Sequence, residues 1–87
     1  MIKNNWYVYM IKSLKDDSIY TGITINVEER LKTHNKGCGA RYTKSRRPFI
    51  LFKSFKVVDK STALKIEAKI KKLSKDQKLS LNSIESL

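Results

Sequence analysis

A chain of 87 residues with 19 Lys and Arg against 8 Asp and Glu, a formal net charge of +11, is long enough for one small core and too short for two. A domain of this size buries a limited share of its surface, which excludes a roomy pocket for a large organic cofactor, and the single Cys38 excludes a disulfide framework and a cysteine-built zinc site. No apolar run reaches the ~18 residues that span a bilayer, and Met1-Ile2-Lys3-Asn4-Asn5 lacks the apolar stretch of a secretory leader, so a cytoplasmic protein with no membrane role is expected.

Residues Trp6 to Ser13 alternate Trp6, Val8 and Met10 against Tyr7, Tyr9 and Ile11, aromatic and β-branched throughout, which predicts a strand. The polar run Lys15-Asp16-Asp17-Ser18 predicts a turn and Ile19 to Ile23 a second strand, together an antiparallel hairpin. With Trp6, Val8 and Met10 sharing a face with Ile19, Thr21 and Ile23, the period of two sets Tyr9 and Tyr20 on the opposite face, with Gly22 beside them.

Asn26, three residues before Glu29, reads as a helix start in which the Asn side chain accepts from the backbone and Glu29 reaches back. A helix is therefore predicted from Val27 to about Asn35, with Gly37 as its stop. Val27 and Leu31 give it one short buried stripe, while Arg30 and His34 lie together on a neighbouring face. Residues 36–48 read as a loop, or one short helical turn around Ala40 to Lys44, because Pro48 forbids a helix through that point. Phe49 to Val58 is apolar on both alternating sets, which predicts a central strand covered on both faces. Ser61 or Thr62 is expected to cap a last helix, with Ala63, Ile66, Ile70 and Leu73 as its buried stripe and Glu67 off its centre. Beyond Ser74 the chain is polar and lysine-rich, and Leu79, Leu81, Ile84 and Leu87 are too sparse to place. Trp6, Met10, Phe49, Phe52 and Phe55 are assigned to packing, and Cys38 to an inert thiol, since no partner stands at a nucleophile's spacing.

The distribution of charge points to a polyanion. From Arg30 to Val58 stand Arg30, Lys32, Lys36, Arg41, Lys44, Arg46, Arg47, Lys53 and Lys56, with no acidic residue among them. A nucleic acid fits that stretch better than a lipid surface, which calls for a basic amphipathic helix with aromatic anchors. The bland alternative is a lysine-rich solvated surface.

Tyr7-Val8-Tyr9, then Tyr20-Thr21-Gly22, then Arg30 and His34 on one helix and Glu67 on a late one form an ordered set that resembles the GIY-YIG nuclease superfamily, above all its small stand-alone bacterial members. The stretch His34-Asn35-Lys36-Gly37-Cys38-Gly39-Ala40-Arg41-Tyr42-Thr43, followed by Arg46-Arg47-Pro48, extends the resemblance, which covers about residues 6–75. Tyr7 stands where the family name has Gly and Thr21 where it has Ile, positions not expected to do chemistry.

The resemblance implies an α+β fold: a small mixed three-stranded sheet flanked by helices in the order β-β-α-α-β-α, one domain over residues 1–87, its core at about 6–75 and a polar tail or short helix at 76–87. It also implies a metal-dependent endonuclease that hydrolyses DNA, in preference to RNA, with little sequence specificity, in repair or recombination. Glu67 would hold one Mg²⁺ or Mn²⁺, and a lone carboxylate favours one hard ion over a two-metal clamp. Tyr9 and Tyr20 would orient or deprotonate the attacking water, and Arg30 would donate to the phosphate. A phenol with a pKa of about 10 needs help to act as base near neutrality, from Arg30, from lysines or from the metal. His34, with an ordinary pKa of roughly 6.5, can relay the proton; the identity of the base stays open. Gly22 would let the backbone approach the substrate, and Lys36, Arg41, Tyr42, Lys44, Arg46 and Arg47 would contact phosphate or stack on bases. Two other classes compete: a nucleic-acid-binding module of the same fold without useful turnover, and a small basic accessory of a ribonucleoprotein. Taken singly, Tyr9 and Tyr20 can be hairpin packing and Glu67 a partner for Lys71 four residues on; the ordered set argues against coincidence.

Overall fold

The computed structural model describes residues 5–87; the stretch 1–4, read above for a leader, lies outside the described residues. Strands β1 (Trp6–Ser13) and β2 (Ile19–Thr24) form the expected antiparallel hairpin, with Tyr9 opposite Gly22, Met10 opposite Thr21 and Ile11 opposite Tyr20. Its turn is fastened by short polar side chains. Ser13 Oγ accepts from the amides of Lys15 and Asp16 at 3.0 and 3.1 Å, and Asp16 Oδ1 accepts from the Ser18 amide and hydroxyl at 3.0 and 2.6 Å. Those bonds from Ser18 hold the Asp16 carboxyl down at about 2.

Helix α1 (Val27–Asn35) has the predicted bounds, and Asn26 Oδ1 accepts from the Glu29 amide at 3.0 Å. The reciprocal half of the cap differs from expectation: the Asn26 amide donates to Thr24 Oγ1 at 3.1 Å, and Glu29 instead lies 3.9 Å from Lys32. At its other end Gly37 N donates to His34 O and Cys38 N to Thr33 O, the paired bonds that close a helix C-terminus. The short turn expected near Ala40 is α2 (Arg41–Lys44).

Strand β3 (Phe49–Val57) pairs antiparallel with the other edge of β1, so the strand order is β2-β1-β3. Two expectations are corrected here. The sheet is antiparallel throughout, not mixed, and its central strand is β1, with β3 at an edge. The register explains the misleading pattern. Phe49 and Leu51 face Ser13 and Ile11, a bulge between Met10 and Ile11 shifts the phase, and beyond it Lys53, Phe55 and Val57 face Met10, Val8 and Trp6. Apolar residues occupy both alternating sets because the alternation changes phase at the bulge and both faces are covered, Phe49 packing on one face with Tyr9 and Ile11 and Phe52, Phe55 and Val57 on the other with Val8 and Met10. On this edge strand Ile50 and Leu51 remain 45% and 43% exposed.

Helix α3 (Lys60–Lys71) is capped by Asp59, whose Oδ1 accepts from Thr62 N at 2.8 Å, and not by Ser61 or Thr62. It lays Ala63 and Ile70 on one face of the sheet against Val8, Met10 and Val57, while Val27 and Leu31 of α1 pack on the other face against Tyr9, Ile11 and Phe49. The tail is ordered. Ser74 and Gln77 exchange both bonds of a capping box to start α4 (Lys75–Ser80), after which Leu81 is buried and Ile84 and Leu87 pack on the α3 side of the core.

Lys53 fastens that tail, its Nζ donating to Leu79 O at 3.1 Å and to Leu81 O. Lys53→Met is expected to cost about 1–3 kcal/mol, because two shielded carbonyls lose a charged donor. Urea denaturation with unchanged slope and a lowered midpoint is the check.

Candidate active site

The buried phenol of Tyr9 organises the site. It is 2% exposed on the central strand, and the absence of a side chain at Gly22 makes room for it, since a Cβ there would stand 2.5 Å from the Tyr9 hydroxyl and 2.7 Å from its ring. Gly22 thus serves the packing of Tyr9 across the hairpin. On the last turn of α1, His34 is 1% exposed and its Nε2 lies 2.8 Å from Tyr9 Oη. Its other nitrogen, Nδ1, lies 2.8 Å from Thr43 Oγ1, and the Thr43 hydroxyl donates to Ala40 O at 2.8 Å.

The last bond sets the direction of the others. With its one proton given to Ala40, Thr43 Oγ1 accepts from His34 Nδ1–H; Nε2 is then the acceptor, and Tyr9 donates to it. Gly39 packs directly against the imidazole, where a Cβ would overlap it. Thr43 and Gly39 both belong to the stretch singled out in the sequence, yet neither had been assigned a part. The signal that finds them is physical: a fully buried imidazole needs partners for both nitrogens and space for its ring.

Tyr20, on edge strand β2, packs edge-on against His34 at 5.1 Å between ring centroids and lies 6.4 Å from Tyr9. Tyr42 stacks on Tyr20 at 5.8 Å, and the Arg46 guanidinium sits 4.1 Å from the Tyr42 centroid. Arg46 is also held by Tyr42 O at 3.2 Å and by Asp16 at 3.2 Å, while Ser13 Oγ donates to Arg46 O at 2.6 Å, so the hairpin turn anchors the loop that carries Tyr42. Of the other residues expected to meet nucleic acid, Lys36, Arg41, Lys44 and Arg47 are exposed along the segment that runs from the end of α1 through α2 to β3, with Arg47 Nε donating to Lys44 O at 2.9 Å. Arg30 is exposed on α1, one turn before His34.

Burial pushes the Tyr9 phenol well above its ordinary range; Tyr20 and Glu67 push the same way, and the opposing charge of Arg30 is too weak to reverse it. Burial also holds His34 below its usual value, and Arg30 adds to the effect. The folded protein therefore keeps a neutral phenol beside a neutral imidazole. The unfolded chain takes up a proton on His34 below about pH 6.5 that the folded chain resists. Stability is thus expected to fall as the pH drops below about 6.5, and to level off once the folded imidazole is itself protonated. Unfolding midpoints measured across a pH series check this, with His34→Gln expected to flatten the acid limb.

Glu67 is carried by α3, its side chain only 18% exposed, with Lys71 Nζ 3.3 Å from its carboxylate. Among the described residues no group of three or more His, Cys, Asp or Glu is gathered to hold a metal. One carboxylate within the field of the Tyr9 phenol does not suit zinc, but it suits a hard divalent ion that keeps most of its water. Asn82 follows α4 and is exposed, and no helix among the described residues is long and apolar enough to cross a membrane.

The chain matches the model of the GIY-YIG catalytic domain over residues 5–80. It is 51% identical over 75 residues to a UPF0213 protein of Staphylococcus haemolyticus, covering 86% of this chain and 90% of that protein. It is 48% identical over 83 residues to a UPF0213 protein of Clostridium perfringens, covering 93% and 86%. Among solved structures it is similar to the solution NMR structure of a UPF0213 protein from Bacillus halodurans, with a TM-score of 0.53 and 42% identity across 85% of this chain and 78% of that one. Sequence and fold together place the chain in the GIY-YIG family of nuclease-type catalytic domains, which act on nucleic acid and generally depend on a divalent metal.

Proposed function

We propose that the protein is a divalent-metal-dependent endonuclease that hydrolyses DNA phosphodiester bonds with little sequence specificity. The observation that carries this reading is the ordered proton path from Tyr9 through His34 to Thr43, set in a field shaped by Arg30 and Glu67. A tyrosine that merely packs across a hairpin needs no buried imidazole as acceptor.

Glu67 would hold one ion, Mg²⁺ or Mn²⁺, which when bound supplies charge neutralisation at the phosphate and lowers the cost of forming hydroxide. The chain's own residues handle the proton. The Tyr9 O–H already points at His34 Nε2, which leaves the phenol oxygen's lone pairs for a proton from the attacking water. As water oxygen bonds to phosphorus, its proton passes to Tyr9 Oη, and the Tyr9 proton passes to His34 Nε2. His34 becomes imidazolium while Nδ1–H stays on Thr43. The P–O3′ bond breaks, and the leaving oxygen takes a proton from solvent. Because the Tyr9 phenol is raised, the reaction uses this concerted relay and not a standing phenolate. Arg30 donates to the phosphate as charge builds, and Tyr20 positions the water.

Low specificity follows from the kind of contact available. Exposed Lys36, Arg41, Lys44 and Arg47, on and around α2, reach phosphates, which position a duplex without reading it. Purified protein with Mg²⁺ or Mn²⁺ is expected to nick supercoiled DNA. DNA affinity should fall with a log–log salt slope of about 0.9 per phosphate contact. Supercoiled, branched and single-stranded DNA left intact at excess protein, with binding retained, would make it a binding module instead.

A further inference from the structure

Beside edge strand β2 lies a cavity of about 320 Å³ lined by Ile19, Tyr20, Thr21, Tyr42, Lys71 and Lys78. Its chemistry is not that of packing. Lys71 at the end of α3 and Lys78 on α4 bring two lysine side chains to the wall of one space, and Lys78 is there because the Ser74–Gln77 capping box starts a helix in the tail. The same cavity is lined by Thr21, 3% exposed, whose hydroxyl has no hydrogen-bond partner.

Buried hydroxyls are nearly always partnered, and position 21 shares its sheet face with Ile19 and Ile23, where an aliphatic residue would pack without that cost. An unpartnered donor facing the same cavity as two cations calls for an acceptor that is anionic and has several oxygens. Tyr20 lines this cavity and also packs on His34, so the cavity adjoins the Tyr9–His34 pair.

We propose that this cavity is a second phosphate subsite, in which Lys71, Lys78 and the Thr21 hydroxyl hold a backbone phosphate of the DNA strand next to the one cleaved. The inference rests on the nuclease reading of the neighbouring site. It gives Lys71 two partners, the Glu67 carboxylate at 3.3 Å and the incoming phosphate, so one side chain links the metal-holding residue to the bound strand.

The test is equilibrium binding of a labelled DNA duplex in EDTA, which removes cleavage from the readout, for wild type, Thr21→Val and Lys78→Gln. Thr21→Val keeps the side-chain shape. It is expected to weaken binding about tenfold, the worth of one hydrogen bond to a charged group. Its thermal midpoint without DNA should be unchanged or higher, because the hydroxyl it removes bonds nothing in the free protein; a purely structural role would lower it. Lys78→Gln is expected to reduce the log–log salt slope by about 0.9, one phosphate contact. Wild-type affinity and slope in both variants would overturn the subsite. An NMR titration with inorganic phosphate alone separates a strand subsite from a small-anion site: Thr21 and Lys78 responding to phosphate while both variants bind DNA normally would also overturn it. Absence of DNA binding by wild type would overturn the nuclease reading together with the subsite, whereas normal nicking by wild type with indifferent variants would remove the subsite alone.

Discussion

Glu67→Gln is expected to lower metal-dependent DNA cleavage by about three orders of magnitude while leaving DNA binding intact or slightly tighter. The carboxylate acts electrostatically on the Tyr9 phenol, and its replacement by an amide of the same shape removes the charge that would hold a divalent ion. Metal assistance is worth several kcal/mol in the transition state, and about 4 kcal/mol corresponds to a thousandfold in rate. Binding responds in the opposite sense, because a negative charge that repels phosphate is gone and Lys71, now 3.3 Å from Glu67, is released toward the strand. The fold should tolerate the change, since the amide keeps the shape of the 18%-exposed Glu67 side chain and its partner Lys71 is half exposed and stays solvated. Single-turnover cleavage and duplex binding, measured on the same preparation, separate the two effects.

Tyr9→Phe carries the second large effect, a loss of about 10²- to 10⁴-fold in cleavage, the usual range for a positioned proton-transfer group. It should also cost about 1–3 kcal/mol of stability, because His34 Nε2 keeps its burial and loses its donor. The two consequences have different pH signatures. The stability loss reflects an orphaned acceptor, whereas the residual cleavage should lose the acid limb that neutral His34 imposes on the wild-type rate profile. Tyr20 offers the contrast: it is half-buried and meets His34 through its ring edge, so Tyr20→Phe is expected to spare stability.

What could be read from the sequence follows from how local each cause is. The hairpin register, the shared face of Tyr9 and Tyr20, and the bounds of α1 depend on period-two alternation and on a cap formed by neighbours, and all are found. The cap of α3 depends on one rotamer choice among Asp59, Ser61 and Thr62, which spacing does not decide. Strand β3 misled for a stronger reason: a bulge moves its apolar set from one face to the other, and alternation carries no mark of where that occurs. The tail failed differently. Leu81, Ile84 and Leu87 bury themselves singly on a surface made by α3 and β1, with no period of their own, and Lys53 reaches them from a strand far away in sequence. In the candidate site, Tyr9, Tyr20 and His34, which the structure brings together, were legible as part of an ordered set with Arg30 and Glu67. Thr43, Thr21, Lys71 and Lys78 were not, because each acquires its part only through a three-dimensional neighbour: a buried imidazole for the first, a shared cavity for the others.

The most direct measurement is supercoiled-plasmid nicking by wild type, Tyr9→Phe and Glu67→Gln in Mg²⁺ and in EDTA, with DNA binding by each protein measured in parallel. Nicking by wild type in Mg²⁺ but not in EDTA, lost in both variants while binding persists, is the expected result. Nicking that survives both substitutions, or that ignores EDTA, would contradict a metal-assisted relay through Tyr9 and Glu67.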